Sequence, residues 1–279
     1  MSAPVLPVET GIPPRRAHLA RYGLWQLRDY AINRGAPTLL VAALFGALPL
    51  FSLLRGLQAS IERTPPRYLQ LMIARHGSIE LYRQSMLHEL SGGFLRSFLG
   101  TVVFLGALLA MNGLVSNDRK LGHYRFLFSK PVSPLRYYGQ AFLLHWAGFL
   151  LVVIALAALY GAYVEPVLTP TFVAVLASVF LMYGGVAFLM TTLVRWDWLA
   201  LAASVIASQV LWDRFGASTS VLAKLLYLLP PIHRTGDVYT ALVGGTALPG
   251  HTLEWIAAYG AVCLVAGLVV LRTRRLAIS

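Results

Sequence analysis

Charge is what this chain lacks most. Asp, Glu, Lys and Arg make up 12% of its 279 residues, about half the share of a soluble domain. So few charges cannot clothe a surface in water, which excludes an ordinary globular protein. Cysteine is nearly absent: Cys263 stands alone in an apolar run, where packing explains it, and no intrachain disulfide can form. The three lysines follow Arg119, Ser129 and Ala223, so Gly-Lys never occurs and a phosphate-cradling P-loop is excluded. HExxH, GxSxG and CxxC are missing, and the seven histidines show no ligand spacing. No catalytic or metal-ligating residue is therefore expected. The apolar runs hold almost no acidic groups, which argues against a carrier driven by protons or sodium. The first 36 residues lack the charged-then-apolar pattern of a cleaved signal, so the first apolar run is expected to be a retained span.

What is present is grease. Hydrophobic residues make up 57% of the chain and the mean hydropathy is +0.67. A bilayer crossing needs about 20 apolar residues, and six runs qualify: Thr38–Leu54, Ser97–Val115, Ala141–Val164, Thr171–Val194, Trp196–Trp212 and Leu253–Leu271. The fifth is the shortest. An all-α polytopic membrane protein of about six spans follows, because helices satisfy their own backbone in lipid. Lys and Arg favour the segments that share a side with the N-terminus, so both ends are expected in the cytoplasm, with the chain in the plasma (inner) membrane. The formal charge of +12 then belongs to lipid headgroups and orientation rather than to nucleic acid.

The chain divides into a cytoplasmic N-terminus (1–36), a transmembrane domain (37–271) and a cytoplasmic tail (272–279). Tyr22–Arg34 carries Leu24, Leu27 and Ala31 at helical spacing, with Trp25 and Tyr30 alongside. It reads either as an interfacial helix in the headgroup plane or as a cytoplasmic helix packed on the protein, and Pro37 fits a turn into the bilayer. The outer loop 55–96 is broken by Pro65-Pro66 and closed by Gly92-Gly93, which predicts two short helices on the outer face. In the outer region 213–252, the apolar Val221–Leu229 is too short to span and predicts a re-entrant or interfacial helix stopped by Pro230-Pro231. Gly244, Gly245 and Gly250 make the remainder loop-like.

Asn112, His145 and Gln209 are polar residues within the spans. They either line a translocation pathway or hydrogen-bond between helices, since an unpaired polar group in lipid costs about 1–3 kcal/mol. The loop 116–138 mixes charge and apolar character. Tyr124, Leu127 and Phe128 share a helical face, Arg119, Lys120 and Arg125 lie elsewhere, and Pro131 and Pro134 redirect the chain. Such an amphipathic helix suits a partner groove; alternatively it is a basic loop that fixes topology.

This loop resembles that of the membrane-spanning permease subunits of type-2 ABC transporters. Between their second and third spans these carry an acidic residue, a glycine four positions on, an apolar helix, then a small residue and Pro-Val-Ser. Here Asp118, Gly122, Phe126-Leu127-Phe128, Ser129 and Pro131-Val132-Ser133 stand in that order and spacing. The family's Glu is Asp118, the Thr after its glycine is His123, and its Gly-Lys at the third span is Gly139-Gln140. The N-terminal helix matches the family's elbow helix, and Leu228–Ile232 resembles its element before the last span. Leu90–Phe94 also resembles the signature loop of the ATPases themselves, but without a P-loop that match is chance.

The resemblance implies a permease subunit that hydrolyses no ATP. ATP and Mg would be held by a separate cytoplasmic ABC ATPase, and this chain needs no cofactor of its own. A second permease copy or homologue would complete an export pathway in the lipid. Asp118, Gly122, Tyr124, Arg125, Phe126, Leu127 and Phe128 would form the coupling helix seated in the ATPase. The rivals are a non-transport scaffold subunit of a larger complex and a membrane-embedded enzyme, and the latter lacks a polar cluster in its spans.

Overall fold

In a computed structural model the chain is described over residues 15–111, 114–120, 133–164, 166–194, 196–218 and 224–273. Among these residues there are helices and turns but no strand. The order is α1 (Arg15–Tyr30), α2 (Ala36–Ala42), α3 (Leu48–Arg63), α4 (Pro66–His76), α5 (Ile79–Met111), α6 (Ser116–Lys120), α7 (Pro134–Tyr163), α8 (Pro170–Leu193), α9 (Asp197–Phe215), α10 (Ile232–Val243) and α11 (Thr252–Thr273). Five stretches among the described residues are long and apolar enough to cross a membrane: Ala36–Arg63, Leu99–Asp118, Pro134–Tyr163, Pro170–Leu193 and Thr252–Thr273. The protein is thus an all-α, multi-pass membrane protein. The remaining predicted run, Trp196–Trp212, forms the 19-residue α9. Gln209, Asp213 and Arg214 in its last turns keep it less apolar than the five.

Local chemistry sets the helix starts. Ser133 and Thr169 each accept a hydrogen bond from the backbone N–H three residues on, Arg136 and Phe172 respectively. Pro134 and Pro170 then fill the first helical position, where no N–H is needed. The centre of the bundle is α8. Its small residues let α11 approach to backbone contact: a Cβ on Gly185 would fall on the Gly260 carbonyl, and one on Gly260 on the Leu181 carbonyl. In lipid, where no hydrophobic force drives helices together, such close van der Waals packing is what joins them. Aromatic pairs extend the core to α5 and α7: Phe149 stacks on Phe180 at 4.4 Å, and Phe104 meets Tyr183 edge-on at 5.5 Å.

Several sequence expectations change. Pro37 makes no turn into the bilayer. The chain runs from α1 to Arg63 as one helix with two widened turns, Ala31–Gly35 and Ala43–Ala47, each closed by an i→i+5 bond. Pro37 and Pro49 each follow such a turn by two residues, and the extra width relieves the clash that a proline ring makes with the preceding turn. Gly92-Gly93 does not end the outer segment either. Helix α5 passes straight through both glycines for 33 residues, about 50 Å at 1.5 Å per residue. Of the two predicted short helices only α4 is separate, and the second is an extension of α5. A mid-helix glycine costs only about 1 kcal/mol, which the surrounding helix absorbs.

The region before the last span is also different. Of the predicted short helix, 221–223 lie outside the described residues, Lys224 and Leu225 are α-helical and a 3-10 turn, Leu226–Leu228, follows; beyond Pro230-Pro231, where a loop was expected, lies a further helix, α10. Ile232, Thr235, Val238 and Tyr239 are buried at helical spacing. Thr235 lies near Tyr183, midway along α8, while Val243 sits against Gly92. Helix α10 therefore starts inside the bundle and runs to the end where α7 leads into α8. The hydroxyls of Ser208 and Tyr259 pin it by donating to the carbonyls of Pro230 and Leu228 at 2.5 and 2.7 Å.

Candidate functional site

The loop between the second and third spans leaves the bundle beside the ends of α7 and α8. Two backbone donors at its start, Val115 and Ser116, both reach the hydroxyl oxygen of Thr191, at 3.3 and 3.1 Å. Thr191 is fully buried in the last turn of α8. It thus caps the turn that leads into α6 and ties the loop to the central helix. Two residues further, Asp118 accepts a hydrogen bond from the hydroxyl of Tyr138 at 3.0 Å. Tyr138 is wholly buried in the first turns of α7. The loop is therefore fastened to one span where it begins and to the next where it returns, through a neutral cap and a charge-assisted bond.

Helix α1 joins the same end of the molecule. Gln26 donates to the Tyr137 carbonyl at 3.3 Å, and Tyr30 packs edge-on against His145 with ring centroids 4.8 Å apart. Gly148 makes room for the Tyr30 ring, which any Cβ there would overlap. Leu24, Trp25 and Leu27 stay exposed, as a helix lying against lipid requires. One face of this helix thus packs on the protein and the other is open and apolar.

Of the predicted coupling residues, Asp118 is placed as described. Gly122, Tyr124, Arg125, Phe126, Leu127 and Phe128 lie outside the described residues, as does the pathway candidate Asn112. His145 lies between α1 and α7, and its Nδ1 donates to the Ala141 carbonyl at 2.5 Å. That contact and the Tyr30 ring make it a packing residue. Gln209 donates to both carboxylate oxygens of Asp213 on its own helix, at 3.0 and 3.2 Å. Neither pathway assignment gains a geometric basis; intramolecular bonding accounts for both.

Sequence reasoning missed Thr191, Tyr138, Tyr30 and Gly148. The signals were faint: a Thr-Thr pair closing an apolar run, and a Tyr-Tyr pair just after a Ser-Pro cap. It also missed the polar seam of α10, where Thr235 donates to the Ile232 carbonyl at 2.7 Å and His233 stacks on Trp212 at 3.6 Å. No group of three or more His, Cys, Asp or Glu side chains among the described residues is placed to hold a metal. In comparisons with known proteins, no family model and no curated sequence matches the chain.

Proposed function

We propose that the chain is the permease subunit of an ABC exporter, working beside a second permease and driven by a separate cytoplasmic ABC ATPase that binds ATP and Mg. Both termini and the loop 116–138 then face the cytoplasm of the inner (plasma) membrane. The observation that carries this reading is the double fastening of the loop, Thr191 to its start and Tyr138 to Asp118. A partner that grips residues 121–132 and shifts them pulls on α7 and α8 together, and the seam of Gly185 and Gly260 takes α11 with them. The helices then tilt as a rigid group between two states. ATP supplies the difference only if the ATPase binds the loop unequally in those states. The phosphoryl-transfer chemistry of ATP hydrolysis stays in the partner.

Leu127→Asp combined with Phe128→Asp tests the reading. Two carboxylates in an apolar groove should abolish co-purification with the ATPase and uncouple its turnover from transport. Undiminished co-purification would sink the assignment. Pull-down of the native chain from its membranes without any ATPase would favour a scaffold instead.

A further inference from the structure

At the outer end of the bundle, a cleft of about 630 Å³ opens between the extension of α5, the turn joining α7 to α8, and the end of α10. We propose that this cleft binds a primary ammonium group carried on an apolar stem. Its volume falls within the ordinary range of small-molecule sites, about 300–1,000 Å³. Its wall is of two kinds. Tyr160 and Phe172, almost fully buried, form an apolar floor with Val167, Leu242 and Leu248. The rim carries Glu89, His88 and the hydroxyl of Thr171.

Charge selects the ligand. Among the described residues no Lys or Arg lines the cleft, although the chain as a whole is at +12. Glu89 is the one carboxylate among the lining residues, and among the described residues no cation pairs with it. An anion would find no countercharge there. A metal ion would find a single carboxylate, too few hard ligands to strip its water. An ammonium offers three donors, and the carboxylate and the Thr171 hydroxyl are both acceptors. The cleft lies where α7 ends and α8 begins, at the end of two apolar spans, and its apolar floor takes the stem while the charge stays at the exposed rim.

Such an amine has two sources: the headgroup of an aminophospholipid, or a soluble amine. The site stands whether or not the chain is a transporter. The test uses the full chain in nanodiscs of phosphatidylcholine and phosphatidylglycerol, with phenethylamine as probe and saturation-transfer NMR as readout, empty discs being subtracted. Glu89→Gln should weaken binding about 10- to 100-fold, the worth of a charge-assisted hydrogen bond. Thr171→Trp should fill the cleft and weaken it as well, while the thermal transitions of both variants match the parent. Equal binding to Glu89→Gln, or 2-phenylethanol binding as tightly as the amine, would overturn the proposal. Adding phosphatidylethanolamine separates the sources: displacement of the probe identifies the lipid headgroup, and undiminished binding identifies a soluble amine. Either result upholds the ammonium site.

Discussion

Helix α8 and the first long helix, Ala36–Arg63, have nearly the same mean hydropathy, 2.3 and 2.0, yet 67% of the apolar window is buried in one and 22% in the other. Hydropathy alone does not separate a helix wrapped in protein from one wrapped in lipid, because both solvents are apolar. What separates them is the fit to neighbouring helices. Helix α8 carries Gly184 and Gly185 at its middle, where α7 and α11 close in, and its Phe172, Phe180 and Phe188 are buried around them. The first helix turns Leu39, Leu40, Leu44, Phe45, Leu48 and Phe51 outward. Small residues open the closest approaches and large ones fill the space beside them, as van der Waals-driven association in a bilayer demands.

The sharpest way to break this contrast is Gly185→Leu. Its side chain has nowhere to go but into the Gly260 backbone, and the expected loss is more than about 3 kcal/mol, read as failure to elute as a monodisperse peak in detergent. A milder version at the α1 junction is Gly148→Leu, which should displace Tyr30 and cost about 1–3 kcal/mol, with faster proteolysis of the N-terminal segment. Thr191→Val keeps the shape but removes the shared acceptor, leaving two buried N–H groups. A loss of about 1–3 kcal/mol is expected, with faster amide exchange at Val115 and Ser116. Tyr138→Phe removes one hydrogen bond to a charged partner and should cost about 1.5–3 kcal/mol at most, lowering the thermal transition. At the other extreme, Leu40→Ala on the lipid face should stay within about 0.5 kcal/mol. If Leu40→Ala proved as harmful as Gly148→Leu, the face would be covered by protein rather than lipid.

The spans were legible because each needs a long apolar run: Thr38–Leu54 falls within an observed helical stretch, and Ala141–Val164 and Thr171–Val194 each overrun theirs by one residue. The N-terminal helix was legible from Leu24, Leu27 and Trp25. The outer segments were not. Glycine and proline were read there as breakers, but Gly92-Gly93 lies inside a helix already propagating from both sides, where one more turn costs little. Helix α10 was hidden because Gly236 and Asp237 interrupt its apolar pattern, and only the packing of Ile232, Val238 and Tyr239 against neighbouring helices reveals its face. The junction at Thr191 was illegible for a different reason. A cap donated by a residue 75 positions away leaves no local trace in the chain.

The widened turn at Ala43–Ala47 has a further consequence for the first helix. Its buried residues Thr38, Ala42, Gly46 and Leu50 recur every four positions. In an ordinary helix each residue advances about 100°, so a period of four would swing the stripe about 120° around the axis over three steps. The broad turn underwinds that stretch and keeps the four in line. It acts as a phase corrector, holding one surplus residue in the screw. Deleting one residue between 43 and 47 would remove the surplus and leave Tyr30 in its slot at Gly148, whereas deleting one residue from the ordinary helix between 50 and 57 would rotate everything before it by about 100°.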